Sequence, residues 1–153
     1  MHLLEVGSQA PEFTGKDHEG KEISLSMFKG KKVILYFYPK DDTPGCTTEA
    51  CNFRDHYSSL KKKGYEVIGV SVDNEKSHQK FIKKFELPFP LLSDTEKSVV
   101  ELYGVWGKKK FMGREYMGTN RVTYVINEEG IIDHVITKVD NSNASQQVLD
   151  LYE

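Results

Sequence analysis

The only two cysteines of the chain, Cys46 and Cys51, lie five residues apart in one short run. Cys46 follows Thr43 and Pro44, at a point where a predicted strand has ended and a helix begins. A helix start carries unpaired N–H groups and a dipole that favour negative charge. A thiol in that position tends to ionise, and the thiolate is the reactive form of cysteine. The sequence therefore points to thiol chemistry at Cys46.

The spacing of the two cysteines limits what they can do together. Ideal helix geometry separates the Cα atoms of residues five apart by about 8–9 Å. A disulfide cannot form beyond about 7 Å without backbone movement. The pair therefore stays reduced, binds a ligand, or forms a bond only when the helix start unwinds. A redox catalyst would need the last of these.

Other functions fit the cysteines less well. Structural zinc usually takes four ligands with cysteines two to four residues apart, and the histidines supply no paired spacing. A thiol–disulfide oxidoreductase is indicated by Cys-x-x-Cys, whereas four residues intervene here. Cys46 as an inert buried thiol and Cys51 as a small core residue are the blander alternatives. The five histidines are His2, His18, His56, His78 and His134.

Length and composition bound the class of protein. A chain of 153 residues suits one domain, residues 1–153, with a sizeable core. A formal net charge of −2 gives no reason to expect nucleic acid or an anionic membrane as a partner. The first residues lack the pattern of a signal peptide, and no apolar run reaches the length of a membrane span. Two cysteines without an export signal favour a reducing compartment, the cytoplasm.

Hydrophobic patterns predict an α/β arrangement, with parallel strands first and an antiparallel pair after them. The predicted strands are 33–38, 65–72, a short one at 91–92, 121–126 and 131–136. One helix is predicted from Pro44 to about Lys63. Asp73 or Asn74 is expected to cap a second helix through Phe85, and Asp94 or Thr95 a third to about Tyr103, with a weak helical pattern over 144–152.

Two segments lie outside these elements. The first 32 residues are predicted to form a short hairpin and a loop. Residues 104–120 are predicted to be a loop rich in glycine and lysine, in which Lys108 to Lys110 are solvated. Four aromatic side chains are expected in the core or in a pocket wall rather than around a cofactor: Phe37, Tyr38, Phe53 and Trp106.

A thiolate that cleaves a peroxide bond needs donors for the leaving oxygen and a way to recover the oxidised sulfur. Thr43 lies one helical turn before Cys46, so its hydroxyl can point at the same spot. Arg121 opens a predicted strand, and its guanidinium would stabilise a thiolate. Pro39 ends the first buried strand and can cover the site without offering an N–H. These residues together can serve peroxide reduction.

At these residues the chain resembles the peroxiredoxins, and most closely the bacterioferritin-comigratory-protein or peroxiredoxin Q subfamily. The family pattern Pro-x-x-x-Thr-x-x-Cys is matched by Pro39, Thr43 and Cys46. The second cysteine of the subfamily is matched by Cys51, and the family arginine by Arg121. The resemblance extends over nearly the whole chain.

The resemblance implies a thioredoxin-like fold, a mixed central sheet flanked by helices, with an N-terminal hairpin extension. It implies a peroxidatic Cys46, a resolving Cys51 in the same chain, and no metal, haem or flavin. Thioredoxin or a similar dithiol would be the reductant, and the chain would act as a monomer or a weak dimer. Glu49 either pairs with Arg121 or is a first-turn acid that suits the helix dipole.

Overall fold

Residues 2–152, which the computed structural model describes, contain nine strands and four α-helices. Short 3₁₀ turns lie at Leu25–Phe28 and Asn141–Asn143. In chain order the elements are β1 (Thr14–Asp17), β2 (Glu22–Ser24), β3 (Lys32–Phe37), α1 (Pro44–Lys62), β4 (Tyr65–Ser71), α2 (Glu75–Phe85), β5 (Leu91–Ser93), α3 (Ser98–Leu102), β6 (Trp106–Phe111), β7 (Arg114–Thr119), β8 (Val122–Ile126), β9 (Ile132–Ile136) and α4 (Ala144–Asp150).

Seven of the strands form one mixed sheet in the order β2-β1-β5-β4-β3-β8-β9. The central strands β3, β4 and β5 are parallel, while β8 is antiparallel to β3. The N-terminal hairpin β1–β2 pairs with β5 at one side of the sheet. This is the predicted mixed α/β sheet with an N-terminal hairpin.

Strand β3 is buried on both faces, as its unbroken apolar run predicted. On one face Ile34 and Tyr36 pack in a core that includes residues of α1, α2 and α4. On the other face Val33 and Leu35 pack in a core that includes residues of α3 and the N-terminal segment. A central strand held in this way gives a rigid base for the segment that follows it.

Helix α1 begins and ends at residues suited to those positions. Thr43 has extended backbone at the N-cap, and Pro44 occupies the first turn, where its missing N–H costs nothing. Gly64 follows the helix with φ +87°, a conformation that glycine adopts without strain. Phe53 and Leu60 are buried and hold the helix against the sheet. None of the helices within residues 2–152 is long and apolar enough to cross a membrane.

The segment 104–120 is a β-hairpin formed by β6 and β7, so the prediction of a loop was wrong. The hairpin turns at Met112 and Gly113, which have φ of +52° and +80°. Tight two-residue turns need positive φ at both positions, and Asn-Gly or Asp-Gly is their usual signature. The turn was not predicted because methionine, rather than asparagine or aspartate, occupies its first position.

Helix α3 begins at Ser98 rather than at Asp94 or Thr95. The carboxylate of Asp94 instead accepts hydrogen bonds from the N–H groups of Val99 and Val100, at 3.0 and 2.8 Å. Asp94 therefore satisfies the start of the helix from four residues further back. The other predicted boundaries agree with the structure to within about two residues, as is usual at element ends.

Candidate active site

Cys46 lies in the first turn of α1, just beyond the carboxyl end of β3. Its side chain is 2% exposed and packs in the core on the α1 side of the sheet. A first-turn residue has no carbonyl four positions back within the helix, so the N–H groups of Gly45 and Cys46 are available as donors beside the sulfur. The site therefore places a buried thiol at the positive end of the α1 helix dipole.

Arg121 reaches the same point from another strand. Because β8 runs antiparallel to β3, with Val122 opposite Phe37, the start of β8 lies beside the end of β3. The guanidinium donates from Nη2 to the sulfur of Cys46 at 3.1 Å. This contact places a cation where it can stabilise negative charge on the sulfur during the reaction. The expected proximity of Arg121 and Cys46 is present, and it arises from the pairing of β8 with β3.

Glu49 contacts the other side of this guanidinium. Arg121 Nη1 donates to Glu49 Oε1 at 2.6 Å, so of the two alternatives open for Glu49 the structure has the ion pair. Burial raises the pKa of Glu49 to about 7, against the opposing effect of Arg121. Burial lowers the pKa of Arg121, but Glu49 and Cys46 outweigh it and raise that pKa above its ordinary value. Arg121 therefore remains a cation at the sulfur.

Thr43 occupies the N-cap, but its hydroxyl bonds elsewhere than expected. Oγ1 donates to the carbonyl of Lys40 at 2.8 Å and makes no capping bond to α1. The sequence predicted that this hydroxyl points at the same spot as Cys46, whereas its hydrogen is directed to the loop backbone. With its one hydrogen used, Oγ1 offers only lone pairs to a third group. It is suited to accept a hydrogen bond from a bound hydroperoxide.

Cys51 is half-buried on α1, and both cysteines are free thiols. The helix is continuous across Pro44–Lys62, so the ideal separation of about 8–9 Å applies to the two Cα atoms. That separation exceeds the reach of a disulfide. The structure thus represents the reduced form, in which the two sulfurs cannot bond until α1 unwinds at its start.

An open cavity of about 270 Å³ lies between Pro39 and the hairpin β6–β7. Lys109 lines it and donates from Nζ to the carbonyl of Thr119 at 3.1 Å. Burial and Arg121 lower the pKa of Lys109, and Cys46 opposes them. The sequence predicted that Lys109 is solvated like Lys108 and Lys110. Its different environment follows from the register of the β6–β7 hairpin, which the sequence did not predict. The other lining residues are Lys40, Val72, Trp106, Tyr116, Met117 and Gly118.

One group of side chains in residues 2–152 has the composition of a metal site: Asp41, Asp73 and His78, whose ligand atoms lie within 4.8 Å of one another. It contains neither cysteine. Its oxygen and nitrogen atoms already form hydrogen bonds with each other and with a neighbouring hydroxyl, so the hydrogen bonds of the cluster are made without a metal ion. The cluster therefore gives no support to the zinc alternative.

Comparison with known proteins places these features in a family. Residues 6–135 match the model of the AhpC/TSA family. Peroxiredoxin Bcp of Escherichia coli (strain K12) is 43% identical over 150 residues, which cover 98% of this chain and 96% of that protein.

Two solved structures have the same fold. A cysteine-to-serine mutant of Xylella fastidiosa PrxQ matches with a TM-score of 0.91 at 27% identity, covering 99% of this chain and 96% of that one. The Xanthomonas campestris bacterioferritin comigratory protein matches with a TM-score of 0.84 at 32% identity, covering 91% of this chain and 88% of that one. The latter structure is described with the alkyl peroxide reduction activity of that protein.

Proposed function

Because this chain belongs to the AhpC/TSA family as a peroxiredoxin, a thiol-dependent peroxidase, we propose that Cys46 is its peroxidatic residue and Cys51 its resolving residue. The observation that carries the proposal is the 3.1 Å contact from Arg121 Nη2 to the Cys46 sulfur. A buried thiol held at a helix start and against a cation has the surroundings of a reactive cysteine. Cys51 lies further along α1 and is half-buried.

In the first step the Cys46 thiolate attacks the terminal oxygen of a hydroperoxide. The O–O bond breaks, sulfur takes the terminal oxygen as a sulfenic acid, and the alcohol or water leaves with one proton added. Arg121 and the N–H groups of the first turn of α1 stabilise the charge that moves from sulfur to oxygen. Thr43 Oγ1 accepts the O–H of the hydroperoxide and so orients it. Pro39 covers the site without offering a competing N–H.

In the second step the Cys51 thiol attacks the sulfenic acid. A Cys46–Cys51 disulfide forms and one water leaves, which returns the sulfur to a reducible state. The first turns of α1 must unwind for this step, because the continuous helix holds the Cα atoms about 8–9 Å apart. Glu49 supports the first step by holding the guanidinium in place with its 2.6 Å bond.

The substrates and partners follow from this chemistry. Peroxiredoxins act on peroxides and are recycled by a dithiol reductant, and we propose thioredoxin for this chain. Hydrogen peroxide and organic hydroperoxides are both proposed substrates. The alkyl peroxide reduction activity of the Xanthomonas campestris protein supports the second. An intramolecular resolving cysteine needs no partner chain, so we propose a single domain over residues 1–153 acting as a monomer, in the cytoplasm.

Two cysteine variants test the roles. Cys46→Ser should abolish peroxide consumption, since no sulfur remains at the helix start. Cys51→Ser should consume one equivalent and then stop, with one oxygen added to its mass. Continued turnover by Cys46→Ser would show that Cys46 is not the peroxidatic residue. Repeated turnover by Cys51→Ser with thioredoxin as the sole reductant would remove Cys51 from the cycle.

A further inference from the structure

The segment 39–43, between β3 and α1, is held by the side chain of Asp41. Asp41 is its one buried residue, with 7% of its surface exposed. Its carboxylate accepts from the hydroxyl of Tyr38 at 2.6 Å and from that of Ser77 at 2.7 Å. Its backbone N–H donates to Asp73 Oδ2 at 2.8 Å. Bonds from α2 and from the residues that follow β3 and β4 thus converge on one loop residue.

His78 on α2 completes this set and defines where its protons lie. The side chain is fully buried, with Nε2 3.1 Å from the carbonyl of Leu92 and Nδ1 2.7 Å from Asp41 Oδ2. A carbonyl only accepts, so Nε2 carries a hydrogen. If neither atom carried a hydrogen, the lone pairs of Nδ1 and of the Asp41 oxygen would repel each other at this distance. A proton therefore also lies between His78 and Asp41. Asp41 also accepts from two hydroxyls, so the proton shared with His78 completes the set of bonds around its carboxyl group.

We infer that the Asp41–His78 pair is the anchor that positions the active-site loop for the peroxide step. The inference rests on the proposed role of Cys46. The pair touches no reacting atom and acts through the residues that follow Asp41. Thr43 donates to the carbonyl of Lys40, the residue before Asp41, so the N-cap of α1 is fixed to the anchored backbone.

The location of the anchor suits the motion that the second step requires. The first turns of α1 must unwind, yet the loop before them carries Pro39 and Thr43. The anchor is attached to α2 and the sheet, neither of which includes the part of α1 that unwinds. Asp42, next to the anchor, has φ +56°, a conformation that its surroundings must impose. An anchored loop lets Cys46 return to the same place after each turnover.

Rates of the two chemical steps separate positioning from general stability. The peroxide step is measured in the Cys51→Ser background by stopped flow, with Trp106 in the cavity wall as the fluorescent probe. The disulfide step is measured in the two-cysteine protein by acid quench and alkylation. Asp41→Ala should slow the peroxide step on the order of 10- to 100-fold, the cost of a misplaced reacting group. The same change should leave the disulfide step as fast as before, or faster.

Conservative and matched variants complete the test. Asp41→Asn should recover most of the peroxide rate, because its amide can donate to Nδ1 of a neutral His78. Glu66→Ala is the control, since Glu66 also accepts a tyrosine hydroxyl bond of 2.6 Å, from Tyr57, but at the far end of α1. It should lower stability and leave the peroxide rate unchanged. An equal loss in Asp41→Ala and Asp41→Asn, or in Asp41→Ala and Glu66→Ala, would overturn the inference.

Two further measurements keep the outcome decisive. If Asp41→Ala does not fold, Tyr38→Phe is compared with Tyr57→Phe, because each removes one tyrosine–carboxylate bond of 2.6 Å. Only Tyr38→Phe should slow the peroxide step, and equal rates would overturn the anchor. Cys46→Ser is run alongside. If that variant still reacts with peroxide, the proposed reactive thiol is wrong, whatever the Asp41 variants do.

Discussion

Arg121 donates to the sulfur of Cys46 at 3.1 Å, although 75 residues separate them in the sequence. The contact exists because the start of β8 pairs beside the end of β3, where α1 begins. The same guanidinium also holds Glu49 at 2.6 Å, so one side chain joins the sulfur to a buried carboxyl group. This arrangement should therefore affect the rate, the stability and the motion of the site.

Arg121→Lys should slow the reaction of the reduced protein with hydrogen peroxide. Lysine keeps the charge but has no planar fork, so it cannot hold Cys46 and Glu49 in the fixed two-donor geometry of the guanidinium. A lost hydrogen bond to a charged group costs about 1.5–3 kcal/mol, which corresponds to a rate loss of roughly 10- to 100-fold. Arg54→Lys is the control, because Arg54 forms a partly exposed pair with Asp55. A wild-type rate in Arg121→Lys would contradict the role of the fork.

Gly45→Ala should lower the peroxide rate without lowering stability. A Cβ at this position would lie 3.3 Å from Arg121 Nη2 and 3.0 Å from Asn141 Nδ2, so these side chains must shift. Displacing the guanidinium should cost on the order of 10-fold in rate. Alanine favours a helix over glycine by up to about 1 kcal/mol, so the melting temperature should stay level or rise. Ser58→Ala, on the exposed side of α1, should leave the rate unchanged. Parallel losses of rate and stability in Gly45→Ala would refute this reasoning.

Glu49 should make the stability of the reduced protein depend on pH. Burial raises its pKa to about 7 in the folded protein, from an ordinary 4.5. Between these values the folded protein holds a proton that the unfolded chain has released, so stability falls as the pH rises. Glu49→Gln has no such proton. The free energy of unfolding of the wild type, minus that of Glu49→Gln, should therefore decline from pH 5 to pH 7.

Urea unfolding with excess reductant at several pH values measures this difference. Its slope can reach about 1.4 kcal/mol per pH unit, the value for one whole proton. Above pH 7 the slope should flatten, because both states are then ionised at this residue. A difference that stays constant from pH 5 to pH 7 would show that Glu49 does not titrate in this range.

Oxidation should loosen the start of α1. The disulfide cannot fit the continuous helix, so amide hydrogen exchange over residues 44–55 should speed up in the oxidised protein. The segment at Asp41 and helix α2 should keep their protection, since their hydrogen bonds lie outside the unwound turns. Cys51→Ser treated with peroxide is the control, because it cannot form the bond. Unchanged exchange over 44–55 in a fully oxidised sample would contradict the unwinding.

The mixed α/β arrangement and its order of elements were predictable because β3 has an unbroken apolar run and the two long helices α1 and α2 follow residue types suited to an N-cap. The family was predictable from Pro39, Thr43, Cys46 and Arg121, and the comparisons confirm it. The hairpin at 106–119 was missed because Met112 takes a conformation more typical of asparagine or glycine. The catalytic roles of the site residues remain predictions that the variants above test.

The buried Asp41–His78 pair also lay beyond sequence reasoning, although a signal was present. His78 and Phe81 are the buried residues of α2, and Ile82 and Phe85 pack beside the same core. Positions 78, 81, 82 and 85 have the spacing of one helix face, so a histidine stands within an apolar stripe. Its partner could not be identified, because Asp41 and Asp42 are adjacent acids and only the folded loop shows which one is buried.

The most direct test is the intact mass of the reduced protein after one equivalent of hydrogen peroxide, with alkylation but no further reduction. A Cys46–Cys51 bond within one chain predicts the loss of two hydrogens and no alkylation at either sulfur. A protein that keeps its original mass and alkylates at both Cys46 and Cys51 would show that neither thiol reacts with peroxide.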